Sequence, residues 1–373
     1  MPIKLKELPP ILVRNYMSGT NTFIRSKPAL GKTKSIESFI TTMQKRIDGF
    51  KGWMFYAPTM SPMDIQASAP NDETGTLKLY NNEALPNHYN DPDAKGVLFI
   101  DELPNADPAT VKLLQKYVNG EDMSGVLRKP VGVMVVAAGN RIEDKSSVQQ
   151  QGRAFLSRFE QLEAYSDAQD NIDYAAKQAW HPNVQTFFKD HPASIDNYDE
   201  VFETRSSAGN RGQQAQQANG QDKLSEEGKL GIWANMRSWE RISRKEYAAD
   251  ELASPVSLAE AVGNLGSGVG AAYEAHKKML NQLVSFDAIM HDPQGVDLPT
   301  QMDQQYALSM VVALKCSEDQ MPAVKQFGER LPLELQAAIL RNLSVRKNFA
   351  LATAQGYTDW ITNPKLSKLL NGR

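Results

Sequence analysis

The chain has 373 residues, enough for two or three domains with cores of their own. Its hydrophobic fraction is 41%, its charged fraction 23% and its formal net charge -3, values of an ordinary globular protein with no global basic field for nucleic acid. Cys316 is the only cysteine, which excludes an intramolecular disulfide or a cysteine-rich zinc site and suits a reducing cytoplasm. The five histidines lack metal-ligand spacing, and no apolar stretch nears the roughly 20 residues of a membrane span. Met1 to Arg14 does not read as a signal peptide.

From about residue 20 to 165, short apolar strands alternate with helical segments. Asn21 to Arg25 reads as a strand, and Thr33 to Arg46 as a helix with Ile36, Phe39, Ile40 and Met43 on one face. Trp53 to Tyr56 is a second strand. Asn71 to Asp93, rich in Asn, Asp, Pro and Gly, reads as a surface excursion with a hairpin around Thr76 to Tyr80. Val97 to Ile100 is the third strand, apolar on both faces. Pro108 to Val118 follows as a helix with proline in its first turn, then Val131 to Ala138 as a fourth strand. Such alternation implies a parallel sheet with helices on both faces.

Beyond Tyr165 the strand pattern stops. Ile172 to Lys189 reads as one helix with an aromatic face of Tyr174, Trp180, Phe187 and Phe188. Thr204 to Asp222 holds no apolar side chain larger than alanine and reads as a mobile loop. Helical patterns resume at Met236 to Glu246, Leu258 to Val262 and Ala271 to Leu283, interrupted by the glycine-rich Gly263 to Gly270. A helical tail begins near Gln301. The expected domains are a nucleotide-binding core over 1–165, a helical lid over 166–290 and a helical C-terminal extension over 291–373.

Two segments carry the chemistry. Pro28-Ala29-Leu30-Gly31-Lys32-Thr33-Lys34 stands between a strand and a helix. Backbone N–H groups at a helix start, a lysine and a hydroxyl together bind outer phosphates and Mg²⁺. The full phosphate-loop pattern asks for glycine five residues before Gly31, where Ser26 stands. Asp101 and Glu102 follow the third strand, at the end where open α/β sheets place ligands. Asp101 is a candidate Mg²⁺ ligand and Glu102 a candidate base for the attacking water. Asn140 ends the fourth strand, where an amide could hold that water. Arg158, with Arg153 five residues earlier, could stabilise transition-state charge from a neighbouring subunit. Arg237 is the corresponding candidate further on, with Arg241 and Arg244 nearby. Taken singly, each has an ordinary reading: a turn, a chance acidic strand end, a turn asparagine, a surface arginine. Together the two segments point to an ATPase.

In this order the segments resemble AAA+ ATPases, and among them the MoxR-like branch. Ser26 to Thr33 is similar to that family's phosphate loop, with Ser26 and Ala29 in place of glycines. Met60 to Gln66 is similar to its Asp-containing segment after the second strand, and Gly96 to Asn105 to its acidic strand. Asn140 matches the first sensor, Arg158 the arginine finger and Arg237 the second sensor. The resemblance covers roughly residues 20 to 250. It implies a P-loop AAA+ fold with a helical lid, ATP and Mg²⁺ as cofactors, and a homo-oligomeric, hexameric ring that remodels a protein partner in the cytoplasm. A nucleotide-binding scaffold with little turnover and a nucleic-acid motor or loader are the other readings.

Overall fold

In the computed structural model, which describes residues 2–141, 144, 152–202, 230–344, 354 and 356–371, the apolar run before Asp101 is a central strand. Val97 and Phe99 face one side, Leu98 and Ile100 the other, and all four are buried. Burying each contributes about 1.5–3 kcal/mol. A strand covered on both faces belongs in a parallel sheet. The strands are β1 (Ile3–Lys4), β2 (Thr22–Ser26), β3 (Phe50–Tyr56), β4 (Gln66–Asn71), β5 (Thr76–Asn81), β6 (Lys95–Asp101), β7 (Val133–Asn140) and β8 (Glu160–Tyr165). Six of them form one parallel sheet in the order β1-β8-β2-β7-β6-β3. Helices α1 (Leu8–Ser18) and α2 (Lys32–Gln44) cover the Val97 face through Leu12, Phe39 and Ile40. Helix α3 (Pro108–Val118) covers the other through Leu114 and Tyr117. This is the architecture expected of a P-loop AAA+ core, a parallel sheet flanked by helices.

Local chemistry explains the elements. Asp107 caps α3 by accepting from the Ala109 and Thr110 N–H groups, with Pro108 in the first turn. The buried Tyr117 hydroxyl donates to the Pro86 carbonyl at 2.6 Å and ties the excursion after β5 to α3. The excursion does carry a hairpin, β4 with β5, antiparallel and separate from the main sheet. Strand β7 starts at Val133 rather than Val131, which is exposed, and runs on to include Asn140.

Strands β1 and β8 and helices α1 and α4 (Arg153–Leu156) lie outside the apolar-run reading. Strand β8 is mostly exposed and polar, because only the two-residue β1 covers its outer edge. Helix α1 begins with consecutive prolines, which the first turn tolerates because its N–H groups have no helical acceptor. Short α4 precedes β8.

The chain divides into two compact units, Met1–Asp167 and Ala168–Arg373. In the second, the described residues are helical: α5 (Ala168–Lys177), α6 (Pro182–Asp190), α7 (Tyr198–Phe202), α8 (Met236–Leu252), α9 (Leu258–Leu265) and α10 (Ser267–Asn281). There follow α11 (Phe286–His291), α12 (Met302–Lys315), α13 (Met321–Gly328), α14 (Leu333–Ser344), α15 (Tyr357–Ile361) and α16 (Pro364–Asn371). The stretch expected as one helix over 172–189 is two. Ala179 takes a left-handed conformation, and His181 caps a new start at Pro182. Its aromatic face is nevertheless core, with Trp180, Phe187 and Phe188 packed against Trp239 and Tyr273. The glycine-rich break narrows to Gly266, and the C-terminal helices share a core of Leu308, Val312, Phe327, Leu340 and Trp360. The loop expected over 204–222 lies outside the described residues. Among those residues no helix is long and apolar enough to cross a membrane.

Gly139 backs onto Pro104: a Cβ there would lie 2.5 Å from two ring carbons. Gly139→Ala is therefore expected to destabilise the first unit by about 1–3 kcal/mol, read as a lower urea midpoint. An unchanged midpoint would mean that the Pro104 turn yields freely.

Candidate active site

Because β2, β7 and β6 are parallel neighbours, their carboxyl ends share one edge. Ser26 stands opposite Asn140, and Ile100, just before Asp101, opposite Ala137. Helix α2 starts above this edge. Lys32, only 7% exposed, sends its ammonium to Ser26 Oγ at 3.0 Å and Asn140 Oδ1 at 3.3 Å. The next residue, Thr33, donates from Oγ1 to Asp101 Oδ2 at 2.8 Å. Two successive residues of α2 are thus tied to three strands, β2, β7 and β6. The ammonium, the hydroxyl and the helix N-terminus converge where an anion is stabilised.

The loop before α2 resolves the missing glycines. Ser26 is the last residue of β2, fully buried, so no left-handed glycine is required there. Its hydroxyl accepts from Lys32 and donates to the Lys27 carbonyl at 2.8 Å. The positive φ angles fall at Gly31 (+99°) and Ala29 (+60°). The left-handed region costs a residue with a Cβ about 1–2 kcal/mol. Pro28, Ala29 and Leu30 form the half-buried loop, Leu30 leaning on the core, and Lys34 is exposed on the first turn of α2.

Asp101 uses both carboxylate oxygens. Oδ2 takes the Thr33 hydroxyl and Oδ1 the Glu102 N–H at 3.0 Å. Glu102 itself is left-handed, at φ 53° and ψ 36°, and its Oε2 accepts from Asn105 Nδ2 at 2.9 Å. Asn105 is a residue the motif reading passed over, since only its place three residues after Glu102 could have marked it. Pro104, between them, rests on Gly139 and joins the Glu102 turn to the end of β7.

Arg158 is elsewhere. It precedes β8, whose Glu160 pairs with Thr22, so it lies at the opposite end of the sheet. That is about 13 Å, four strand residues, from the Ser26 edge. Its half-buried side chain donates to Asn119 Oδ1 and the Ala154 carbonyl. Arg153 is exposed, on α4. In the second unit Arg237 is exposed on the first turn of α8, which Asn235 caps. Arg241 donates to Asn264 Oδ1 at 3.0 Å, and Arg244 pairs with Glu240 at 2.7 Å.

The donor set at the edge fits a small hard cation. Thr33 Oγ1 and Asp101 Oδ2 are both hard oxygen donors, and Mg²⁺ is commonly held by one or two protein oxygens together with substrate phosphates. Among the described residues no group of three His, Cys, Asp or Glu side chains forms a separate metal cage.

No family model matches the chain, and no curated protein matches it. Solved structures with a similar fold include a Cytophaga hutchinsonii protein assigned as an ATPase, 17% identical over 48% of this chain and 52% of that one, with a TM-score of 0.34. The chain thus spans about half the length of that protein. RuvB of Thermotoga maritima, a Holliday junction branch migration motor, is 14% identical over 79% of this chain and 81% of that one, with a TM-score of 0.36. NtrX of Brucella abortus is 12% identical over 93% and 69%, with a TM-score of 0.40. Likenesses this distant add nothing to the chemistry of the site, which its own geometry carries.

Ala29→Gly removes the left-handed cost at the loop and adds the chain entropy of glycine, a net gain of about 0.5–1 kcal/mol. The melting temperature should rise by about 1–3 °C. An unchanged or lower value in thermal unfolding would mean that Ala29 is not strained.

Proposed function

We propose that the chain is a Mg²⁺-dependent ATPase of the AAA+ type, related to the MoxR-like branch, that works as a homo-oligomeric ring and remodels a protein partner. The observation that carries this reading is the convergence of Lys32, Thr33, Asp101 and Asn140 on one sheet edge. Lys32 would exchange the Ser26 and Asn140 oxygens for the outer phosphates of ATP. Thr33 and Asp101 would hold Mg²⁺, which supplies charge neutralisation on the phosphates. Glu102 would accept the proton of the attacking water, with Asn105 steadying one carboxylate oxygen and Asn140 orienting the water from the adjacent strand.

Arg158 sits too far along the sheet to reach the phosphates held by its own chain, which supports a role across a subunit interface. A head-to-tail interface of that kind closes into a ring when its rotation allows, and the family resemblance makes six the expected number. Arg237 would act as the second sensor, in a lid over 166–290 followed by a C-terminal extension over 291–373. A lone, buried Cys316 supports a reducing cytoplasm. The strained Ala29 favours a second reading, a nucleotide-binding scaffold with little turnover. The net charge of -3 speaks against a duplex motor.

Two substitutions separate the roles. Lys32→Ala is expected to weaken nucleotide binding, whereas Glu102→Gln keeps binding and stops hydrolysis, because the amide retains shape and loses the base. Calorimetric ATP binding beside phosphate release checks this, and equal loss of binding in both folded variants would sink the role of Glu102. Wild-type binding with negligible turnover in the assembled state would select the scaffold.

Arg158→Ala should bind ATP almost normally and lose turnover by about 10³-fold or more. Mixed with Lys32→Ala subunits it should regain part of the activity, since an intact loop then meets an intact arginine across an interface. No recovery in mixtures shown to co-assemble would mean that Arg158 does not act in trans.

A further inference from the structure

The second unit holds a cavity of about 1080 Å³ between α5, α6, α12 and α14. Ala168, Ala176 and Ala338 are among its walls, and their small side chains keep it open. Lys189, on α6, lines it. The ammonium of Lys189 stands 5.1 Å from the centre of the Tyr306 ring and donates to the Met310 sulfur at 3.4 Å. A thioether is a weak acceptor and an aromatic face a modest one. Among the described residues no carboxylate forms an ion pair with Lys189. Arg341, on α14, lines the same cavity and spends one nitrogen on the Leu369 carbonyl. A guanidinium has further donors to offer.

We propose that this cavity is a binding site for a small molecule carrying a carboxylate or phosphate, whose charge pairs with Lys189 and Arg341. The inference is independent of the ATPase reading. Size and charge both select a small ligand. Lys189 is recessed, whereas Asp173, Lys177, Glu334 and Arg341 are exposed around the cavity. Carboxylates among them repel an extended polyanion such as nucleic acid, yet leave a slender anion free to enter.

Proton linkage follows from the surroundings. Burial pushes the Lys189 ammonium down to about 8; Arg341 acts in the same direction, and Asp173 and Asp190 act against it. The charged and titratable groups around the cavity are Asp173 and Lys177 on α5, Asp190 on α6, Tyr306 on α12, and Glu334 and Arg341 on α14. A bound anion favours the protonated lysine, so binding takes up protons near pH 8 and weakens above it.

Calorimetry on the full chain, with succinate and inorganic phosphate as separate probes, tests the site. At pH 7 at least one probe should saturate with a Kd below about 10 mM. Lys189→Met keeps the side chain's length and apolar packing, and should weaken binding about tenfold or more in a protein that melts normally. Binding should also weaken from pH 7 to pH 9 and stay unchanged in Lys32→Ala. Should Lys189→Met fail to fold, Arg341→Gln at the exposed rim takes its place, with an expected loss of about threefold or more. Succinate binding without phosphate binding assigns the site to carboxylates, and the converse to phosphates. Binding of neither probe, binding indifferent to both cavity variants, or binding lost in Lys32→Ala instead would overturn the inference.

Discussion

The first unit depends on how Lys32 is held. An ammonium that is 7% exposed is costly unless oxygen atoms surround it, and the two named here come from neighbouring parallel strands. Their meeting requires Ser26 and Asn140 to be level across β2 and β7. A slip of one residue would turn every side chain of β7 to the opposite face and send Asn140 away from the lysine. Packing on both faces of the sheet prevents that slip. The apolar cores around Val97 and Leu98 therefore act on the site indirectly, by fixing register.

Backbone strain is also present at the same edge. Ala29 and Glu102 both adopt left-handed backbone, Ala29 in the loop that joins β2 to α2 and Glu102 directly after Asp101. Energies of about 1–2 kcal/mol apiece are retained only where surrounding structure over-determines the conformation. At Glu102 the determinants are visible: its N–H is fixed by Asp101, its carboxylate by Asn105, and its turn by Pro104 against Gly139. The carboxylate is thereby presented from a rigid corner.

Much of this was legible in the residues themselves. Alternation of apolar runs with 3.6-residue periodicity located β2, α2, β3, β6, α3 and β7, because these elements are covered and their burial writes a pattern. Strand β8 is exposed along most of its length and leaves no such pattern. The split between α5 and α6 turns on one left-handed alanine, a residue whose propensity argues for continuing a helix. Motif spacing identified Lys32, Thr33, Asp101 and Asn140, yet treated Ser26 as a defect. Its hydroxyl is a partner of the lysine, which only the register of β2 reveals. Asn105 was hidden for a related reason, since its relation to Glu102 arises from a turn and not from a repeat.

The second unit supplies a contrast between two lysines. Lys277 is 7% exposed and is neutralised by Glu246 at 3.1 Å and Glu274 at 2.7 Å, with the Val256 carbonyl as a further acceptor at 2.9 Å. Nearby His276 avoids the cost differently: burial, and then His191, push it down to about 4, so it sits neutral against the Thr186 hydroxyl. These are the two usual solutions for an interior cation, pairing or neutralisation. Lys189 has neither in full, being charged for the most part at neutral pH and facing sulfur and an aromatic ring. A structural lysine in this unit is built with carboxylates around it. Lys189 is built beside an open cavity instead, so the ion-pair partner that none of the described residues supplies has room to come from outside the chain.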